Sequence, residues 1–482
     1  MTELARADAI AQASLVREGQ LTVTELTAAA IERVERLDRA LGFLVEPLFE
    51  PALARARQLD RGPAPAGPLV GAPMLVKDHL ATMAGVRHTE GSAFLRDHVA
   101  REDSELVRRY RRAGLVFVGT ASTPEFALLS TTEPALHGPT LNPWDPTLTP
   151  GGSSGASAAA VAAGVVPLAH GNDSGGSLRI PASCCGVFGF KPSRARNSLA
   201  PHGDLGGIWV EHVITRSVRD SAATLDASSG AATGDPYAAP PSEGSFRQRT
   251  RSDPAPLRVS FSLASPGGRP VAPQCQVAAR EAAALCAELG HDVCEAAPGV
   301  DWVEAESAFL TVFAAACAAW IDGWVARLGR GPGEGELEPF TRALAARGRA
   351  VSAPELLAAV ACLQQAGRTV GRFMQRCDVW LTPTLAQPPV PLGYFDPPES
   401  PGDALDVLAR DARFTPFTWI ANATGQPAAS LPLHWSDAGV PIGVMAAARH
   451  GDDGTLLALA AQLERARPWA ERWPPVAAAA PA

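Results

Sequence analysis

No excess of positive charge runs through this chain: 50 acidic residues against 42 basic ones leave a net charge of −8. No basic stripe appears either, so nucleic acid and anionic membranes are excluded as expected partners. The densest basic run, Arg108-Arg109 and Arg111-Arg112, reads as a solvated helix face. Also missing is an apolar run of the ~18 residues that a bilayer span requires. The opening residues Met1-Thr2-Glu3-Leu4-Ala5-Arg6 lack the basic-then-apolar pattern of an export signal. Cysteines are few, 8 in 482 residues. Cys184 and Cys185 are adjacent, and the other six show neither metal nor disulfide-framework spacing. No HExxH, paired CxxC or EF-hand pattern occurs, so no metal is expected. Together these absences predict a soluble, reduced, cytoplasmic protein.

The chain also has no long charged or low-complexity linker and no internal repeat. Its length exceeds the ~100–200 residues of a usual domain, yet its motifs are spread from end to end. One large α/β domain over residues 5–472 is therefore expected. With 46% apolar residues there is ample material for its core.

Short strands alternating with helices predict a mixed sheet. Residues 5–41 read as two helices, with Thr22-Val23-Thr24-Glu25 as a capping box between them. Residues 69–77 read as a strand carrying Lys77. Ser104 to Gly114 reads as a helix ending at glycine, followed by strand Leu115 to Val118. Ser157 to Ala163 is too alanine-rich for a surface helix and should be buried. Val165 to Ala169 reads as a strand, 227–256 as a surface connection, and 303–376 as mainly helical. Late strands are expected near 379–381, 429–433 and 442–445, with a last helix near 454–467.

What the chain does have is two glycine-rich serine clusters. The first is Pro150-Gly151-Gly152-Ser153-Ser154-Gly155-Ala156-Ser157, and the second is Gly171-Asn172-Asp173-Ser174-Gly175-Gly176-Ser177 followed by Leu178-Arg179. Glycines beside a serine permit tight turns whose N–H groups converge on one point, as an exposed nucleophile beside an oxyanion requires. A lysine lies upstream in the apolar segment Leu75-Val76-Lys77-Asp78. Ser–Ser–Lys is the one plausible catalytic set. Inspection alone cannot choose between Ser153 and Ser154. Gly151-Gly152-Ser153-Ser154-Gly155 also fits G-x-S-x-G, but that elbow needs a preceding apolar strand. Two prolines, Pro146 and Pro150, argue against one. His79 and His170 lie close in sequence to Lys77 and Ser177 and read as structural.

These stretches resemble the amidase signature family, whose members hydrolyse amides with a Ser–cis-Ser–Lys triad. Further motifs follow in family order: Gly71-Ala72-Pro73, Thr89-Glu90-Gly91-Ser92, Asn142-Pro143-Trp144-Asp145, Phe188-Gly189-Phe190-Lys191-Pro192-Ser193 and Asn422-Ala423-Thr424-Gly425-Gln426-Pro427. Pro181-Ala182-Ser183-Cys184-Cys185-Gly186 resembles a narrower group that includes the aminohexanoate cyclic-dimer hydrolase. The resemblance implies an α/β fold, a single amidase-signature domain with a central mixed β-sheet flanked by helices. It implies Ser177 as nucleophile, Ser153 as relay and Lys77 as base. The N–H groups of Ser174, Gly175, Gly176 and Ser177 would form the oxyanion hole. Asp173 and Arg179 would scaffold the loop, and Cys317 and Ser154 would touch substrate. No cofactor is implied, the partner is a small-molecule amide, and a homodimer is left open. Segments 303–350 and 388–416 are expected to shape the pocket. Apolar surface there would come from Trp302, Phe309, Phe313, Trp320, Phe395, Phe414, Phe417 and Trp419.

Some positions depart from the family pattern: Ala156, Gly119-Thr120-Ala121-Ser122, Arg194-Ala195-Arg196 and Met445. They make substrate preference hard to inherit. Three alternatives to hydrolysis stand beside it: acyl transfer to an amine or alcohol, the amidase subunit of a tRNA-dependent amidotransferase, and a catalytically silent binding protein.

Overall fold

The structure, a computed structural model, describes residues 3–62, 67–395 and 404–478. Its described strands are, in chain order, β1 (Leu44–Pro47), β2 (Pro73–Lys77), β3 (Val116–Ala121), β4 (Leu168–Asp173), β5 (Phe188–Lys191) and β6 (Val210–Thr215). β7 (Arg258–Phe261), β8 (Asp292–Glu295), β9 (Val379–Pro383), β10 (Ala428–Trp435) and β11 (Pro441–Ala448) complete them. They form one 11-stranded sheet in the order β1-β3-β2-β4-β6-β5-β10-β11-β9-β7-β8. β2 runs parallel to both β3 and β4, and β7 parallel to both β8 and β9. The other neighbours are antiparallel. The sheet is thus mixed, as the alternation of elements predicts.

Every residue of β2, β3, β4, β6 and β11 is buried, so helices cover both faces of these strands. The capping box forms: Thr22 accepts from the Glu25 N–H while the Glu25 carboxylate accepts from the Thr22 N–H. The helix Gly155–Ala162 is buried along its whole length, and its alanines let it lie closely against β4 and the helix Arg179–Cys185. The 227–256 connection is mostly exposed, with one short helix, Phe246–Arg249.

Two expectations are corrected. The strand expected at Val165–Ala169 runs instead over Leu168–Asp173. The Val165 N–H still bonds the Ala160 carbonyl, closing the preceding helix, and pairing with β6 carries the strand through Gly171 as far as Asp173. The second concerns apolar runs. The helix Trp302–Leu328 is long and apolar enough to cross a membrane, with mean hydropathy 1.6 over 18 residues. Its apolarity serves packing, since it lies against the helices Pro339–Arg349 and Ala353–Met374 with Ile321 and Trp324 buried.

Candidate active site

Lys77 ends β2, beside β4. Its Nζ donates to Ser153 Oγ at 2.6 Å and to Asn172 Oδ1 at 2.6 Å. The Asn172 side chain is itself oriented, because its Nδ2 donates to the His79 carbonyl at 3.2 Å. Lys77 is fully buried, and that burial drives its amine well below the ordinary value of 10.5 although Asp173 and Glu211 act to raise it. The chain holds only two lysines, Lys77 and Lys191. Lys191 is buried too, and burial together with the Arg179 charge brings it down to about 7. Its Nζ donates to the Pro192 carbonyl and not to a serine.

The peptide bond between Gly152 and Ser153 is cis. A Cβ on Gly152 would collide with the Thr131 backbone, so only glycine fits that approach. Thr132 Oγ1 ties down both ends of the turn, donating to the Gly151 carbonyl at 3.0 Å and accepting from the Gly155 N–H at 3.1 Å. The two serine clusters meet where the Ser154 N–H donates to the Ser177 carbonyl at 3.3 Å. Among the described residues, no hydrogen bond joins Ser177 Oγ to Ser153 Oγ.

The turn Ser174–Ser177 leaves β4 directly. Among the described residues, no protein acceptor takes up the N–H groups of Ser174, Gly175, Gly176 or Ser177. Gly176 sits at φ 141°, where a side chain would be strained and would strike Thr418. Three anchors hold the turn. Thr418 Oγ1 donates to the Gly175 carbonyl at 2.5 Å. The Leu178 N–H donates to Asp173 Oδ2 at 3.1 Å. Arg179 meets Asp173 through two hydrogen bonds of 2.8 and 3.0 Å, both side chains fully buried. Arg179 also donates to the Thr418 carbonyl and to Asn422 Oδ1, each at 2.7 Å. Met445 lies behind this network, its sulfur 3.4 Å from Arg179.

Two cavities flank the turn. The first is lined by His79, Asn172, Trp209, Phe313, Cys317 and Trp320 among others. The second is lined by Gly175, Ser177, Phe309, Phe313, Asp411 and Trp419 among others. Ala127, Leu128, Ser174 and Phe313 border both. Three non-glycine residues on the wall of the first cavity hold a left-handed backbone: Leu80 at φ 65°, Phe126 at 50° and Ala127 at 58°. Such conformations persist only where packing imposes them.

Cys317 lines the first cavity, and burial pushes its thiol up to about 12, so it stays neutral. Ser154 lines neither cavity: it is fully buried, its Oγ donating to the Asn172 carbonyl at 3.3 Å. Of the aromatics expected to supply apolar surface, Phe309, Phe313, Trp320 and Trp419 do so. Trp302 backs Trp419 with ring centres 6.0 Å apart. Phe395, Phe414 and Phe417 are buried in the core, and residues 396–403 of the expected pocket segment lie outside the described residues.

Sequence reasoning missed Asn172 as a partner of Lys77, and Phe126 and Trp209 as cavity wall. It also missed a buried polar cluster behind the first cavity. There Trp320 Nε1 donates to Glu90 Oε2 at 2.6 Å, and His79 Nδ1 lies 3.4 Å from the same carboxylate. His79 follows the strand and is not on it, since β2 ends at Lys77. His170 pairs with Glu211 at 3.1 Å and takes no part in the serine site.

The profile of the Amidase family matches residues 25–457. The 6-aminohexanoate-cyclic-dimer hydrolase of Pseudomonas sp. (strain NK87) is 37% identical over 97% of this chain and 96% of its own length. A putative amidase, AmiB2, of Mycobacterium bovis is 37% identical over 98% and 99%. Among solved structures, 6-aminohexanoate cyclic dimer hydrolase complexed with substrate superposes with TM-score 0.92 at 36% identity, over 99% of this chain and 100% of that one. A bacterial aryl acylamidase of the amidase signature family superposes with TM-score 0.90 at 26% identity, over 100% of both chains. The chain belongs to the amidase family and is an amidohydrolase, acting on carbon–nitrogen bonds other than peptide bonds.

Proposed function

We propose that this enzyme hydrolyses a small carboxylic amide through an acyl-enzyme on Ser177, with Ser153 and Lys77 as its proton relay. The observation that carries the reading is the 2.6 Å contact between Lys77 Nζ and Ser153 Oγ, inside a buried site that favours the neutral amine. A lysine can act as base only when neutral. Ser177 Oγ attacks the carbonyl carbon while its proton passes to Ser153 Oγ, and the Ser153 proton passes to Lys77. The developing oxyanion is received by the unengaged N–H groups of Ser174 to Ser177, each such donor contributing about 3–4 kcal/mol to the transition state. Collapse breaks the C–N bond, and the leaving nitrogen takes its proton back through Ser153 from Lys77. Water then attacks the ester, gives its proton to the same relay and releases the acid.

Asp173 and Arg179 act through the turn, as its support. The two apolar cavities meeting at Ser174 support an amide with an apolar or aromatic arm on each side, and Cys317 contacts the arm in the first. The relatives named for cyclic-amide and aryl-amide hydrolysis support both linear and cyclic substrates.

The test is product analysis on a panel of aliphatic, aryl and cyclic amides, with and without hydroxylamine. Release of free acid and amine in equal amounts, with only a minor hydroxamate fraction, is expected. Hydroxamate dominating at low hydroxylamine would overturn hydrolysis in favour of acyl transfer.

A further inference from the structure

The second cavity is acidic and carries no base. Among its lining residues, Glu306 and Asp411 are the ionisable side chains, and none is Lys, Arg or His. Glu306 already has a partner, accepting from Arg269 at 2.6 Å. Asp411 has none of that kind. One of its oxygens, Oδ2, accepts from Thr415 Oγ1 at 3.2 Å, and Ser130 lines the same cavity. Its Oδ1 is buried with no hydrogen-bond partner. Among the described residues no cation pairs with it. Arg410, next in the chain, donates instead to the Tyr394 carbonyl at 3.2 Å. Burial, with Glu306 nearby, pushes the Asp411 carboxyl above its ordinary value.

A buried carboxylate oxygen without a donor is costly and rarely left so. Here a cation is the missing complement, because Thr415, the hydroxyl that bonds the carboxyl, serves the other oxygen and a second carboxyl side chain, Glu306, lines the same cavity. The remaining wall suits a cation as well. Phe309 and Trp419 line the cavity with ring centres 5.3 Å apart, and aromatic faces attract an ammonium. Ser177 lines this same cavity, so what sits there is part of the reacting molecule.

We infer that the second cavity takes an amide arm ending in a protonated primary amine, held by Asp411 with Phe309 and Trp419 beside it. This deepens the amidase reading and rests on it for the placement of the scissile bond. Asp411 is a specificity residue and takes no part in breaking the bond.

The experiment compares two series of substrates: ω-aminoalkanoyl anilides, and alkanamides of terminal diamines, each against the partner in which a methyl replaces the ammonium. At least one series is expected to favour the amino substrate by about tenfold or more in kcat/KM. In Asp411→Asn that preference should fall towards unity. A measurement without turnover stands beside it: protection of Ser177→Ala against thermal unfolding by straight-chain alkylammonium ions and by alkanols of equal length. The ammonium should protect at lower concentration than the alkanol, and Asp411→Asn in the Ser177→Ala background should abolish that difference. Equal use of amino and methyl substrates in both series would overturn the inference. So would a preference that survives in Asp411→Asn, or equal protection by ammonium and alkanol. If the amidase mechanism alone were wrong, the thermal difference would still appear, so the two failures are separable.

Discussion

Ser177→Ala is expected to lower kcat/KM by roughly 10⁴–10⁶-fold, and Lys77→Met by about 10²–10⁴-fold. The double variant should be no worse than Ser177→Ala alone, because nucleophile and base act in one step and their losses do not add. The same picture sets a pH profile. The relay needs a neutral Lys77, whose pKa burial holds well below 10.5, so kcat/KM of the wild type should fall as pH drops through that depressed value. Stability responds in the same window. Between the folded value and 10.5 the unfolded chain binds a proton that the folded chain does not, so stability rises with pH there. Lys77→Met should remove that slope. Unfolding midpoints over a pH series, with steady-state kinetics, check both. Additive losses in the double variant would contradict a shared relay.

The second large effect concerns the support of the turn. Asp173→Ala leaves the fully buried Arg179 guanidinium without its carboxylate, and breaking such a pair typically costs about 3–5 kcal/mol. It also frees the Leu178 N–H, one residue beyond the nucleophile. Denaturant unfolding should show the loss, and the refolded variant should lose kcat more than it gains KM. The sign of the pH dependence follows from the carboxyl. Burial would raise it, but Arg179, Lys191 and Asn422 together hold it below 3.8. Its stabilisation is therefore present above 3.8 and lost as pH falls through the lower folded value. An Asp173→Ala protein with an unchanged unfolding midpoint would show that the pair contributes nothing to the fold.

Much of this site could be read from residues alone, and the reason is local. Glycine clusters around Ser153 and Ser177 encode turns whose close approaches admit no side chain, as Gly152 and Gly176 show. The alanine run after Ser154 encodes a helix with no exposed face, and that is its state. What escaped the sequence is lateral. Asn172 reaches Lys77 because β4 lies beside β2, a neighbour relation that no spacing along the chain reveals. Phe126 and Trp209 reach the first cavity from irregular segments, where no periodicity marks an inward side. Asp411 sits on a helix that looks ordinary in sequence, and only the shape of the second cavity exposes its unmatched oxygen. One strong signal lies in the lysine count. A chain with 42 basic residues keeps only two lysines, and both are buried in the interior. Where arginine supplies nearly all the positive charge, a lysine marks a place that needs an amine able to lose its proton.

The most direct measurement is intact-protein mass after rapid mixing with a slowly hydrolysed aryl amide, followed by peptide mapping. A transient adduct of the acyl mass on Ser177, absent in Ser177→Ala and decaying as free acid appears, is expected. Turnover without any adduct under rapid quench, or an adduct on Ser153, Ser154 or Cys317, would contradict it.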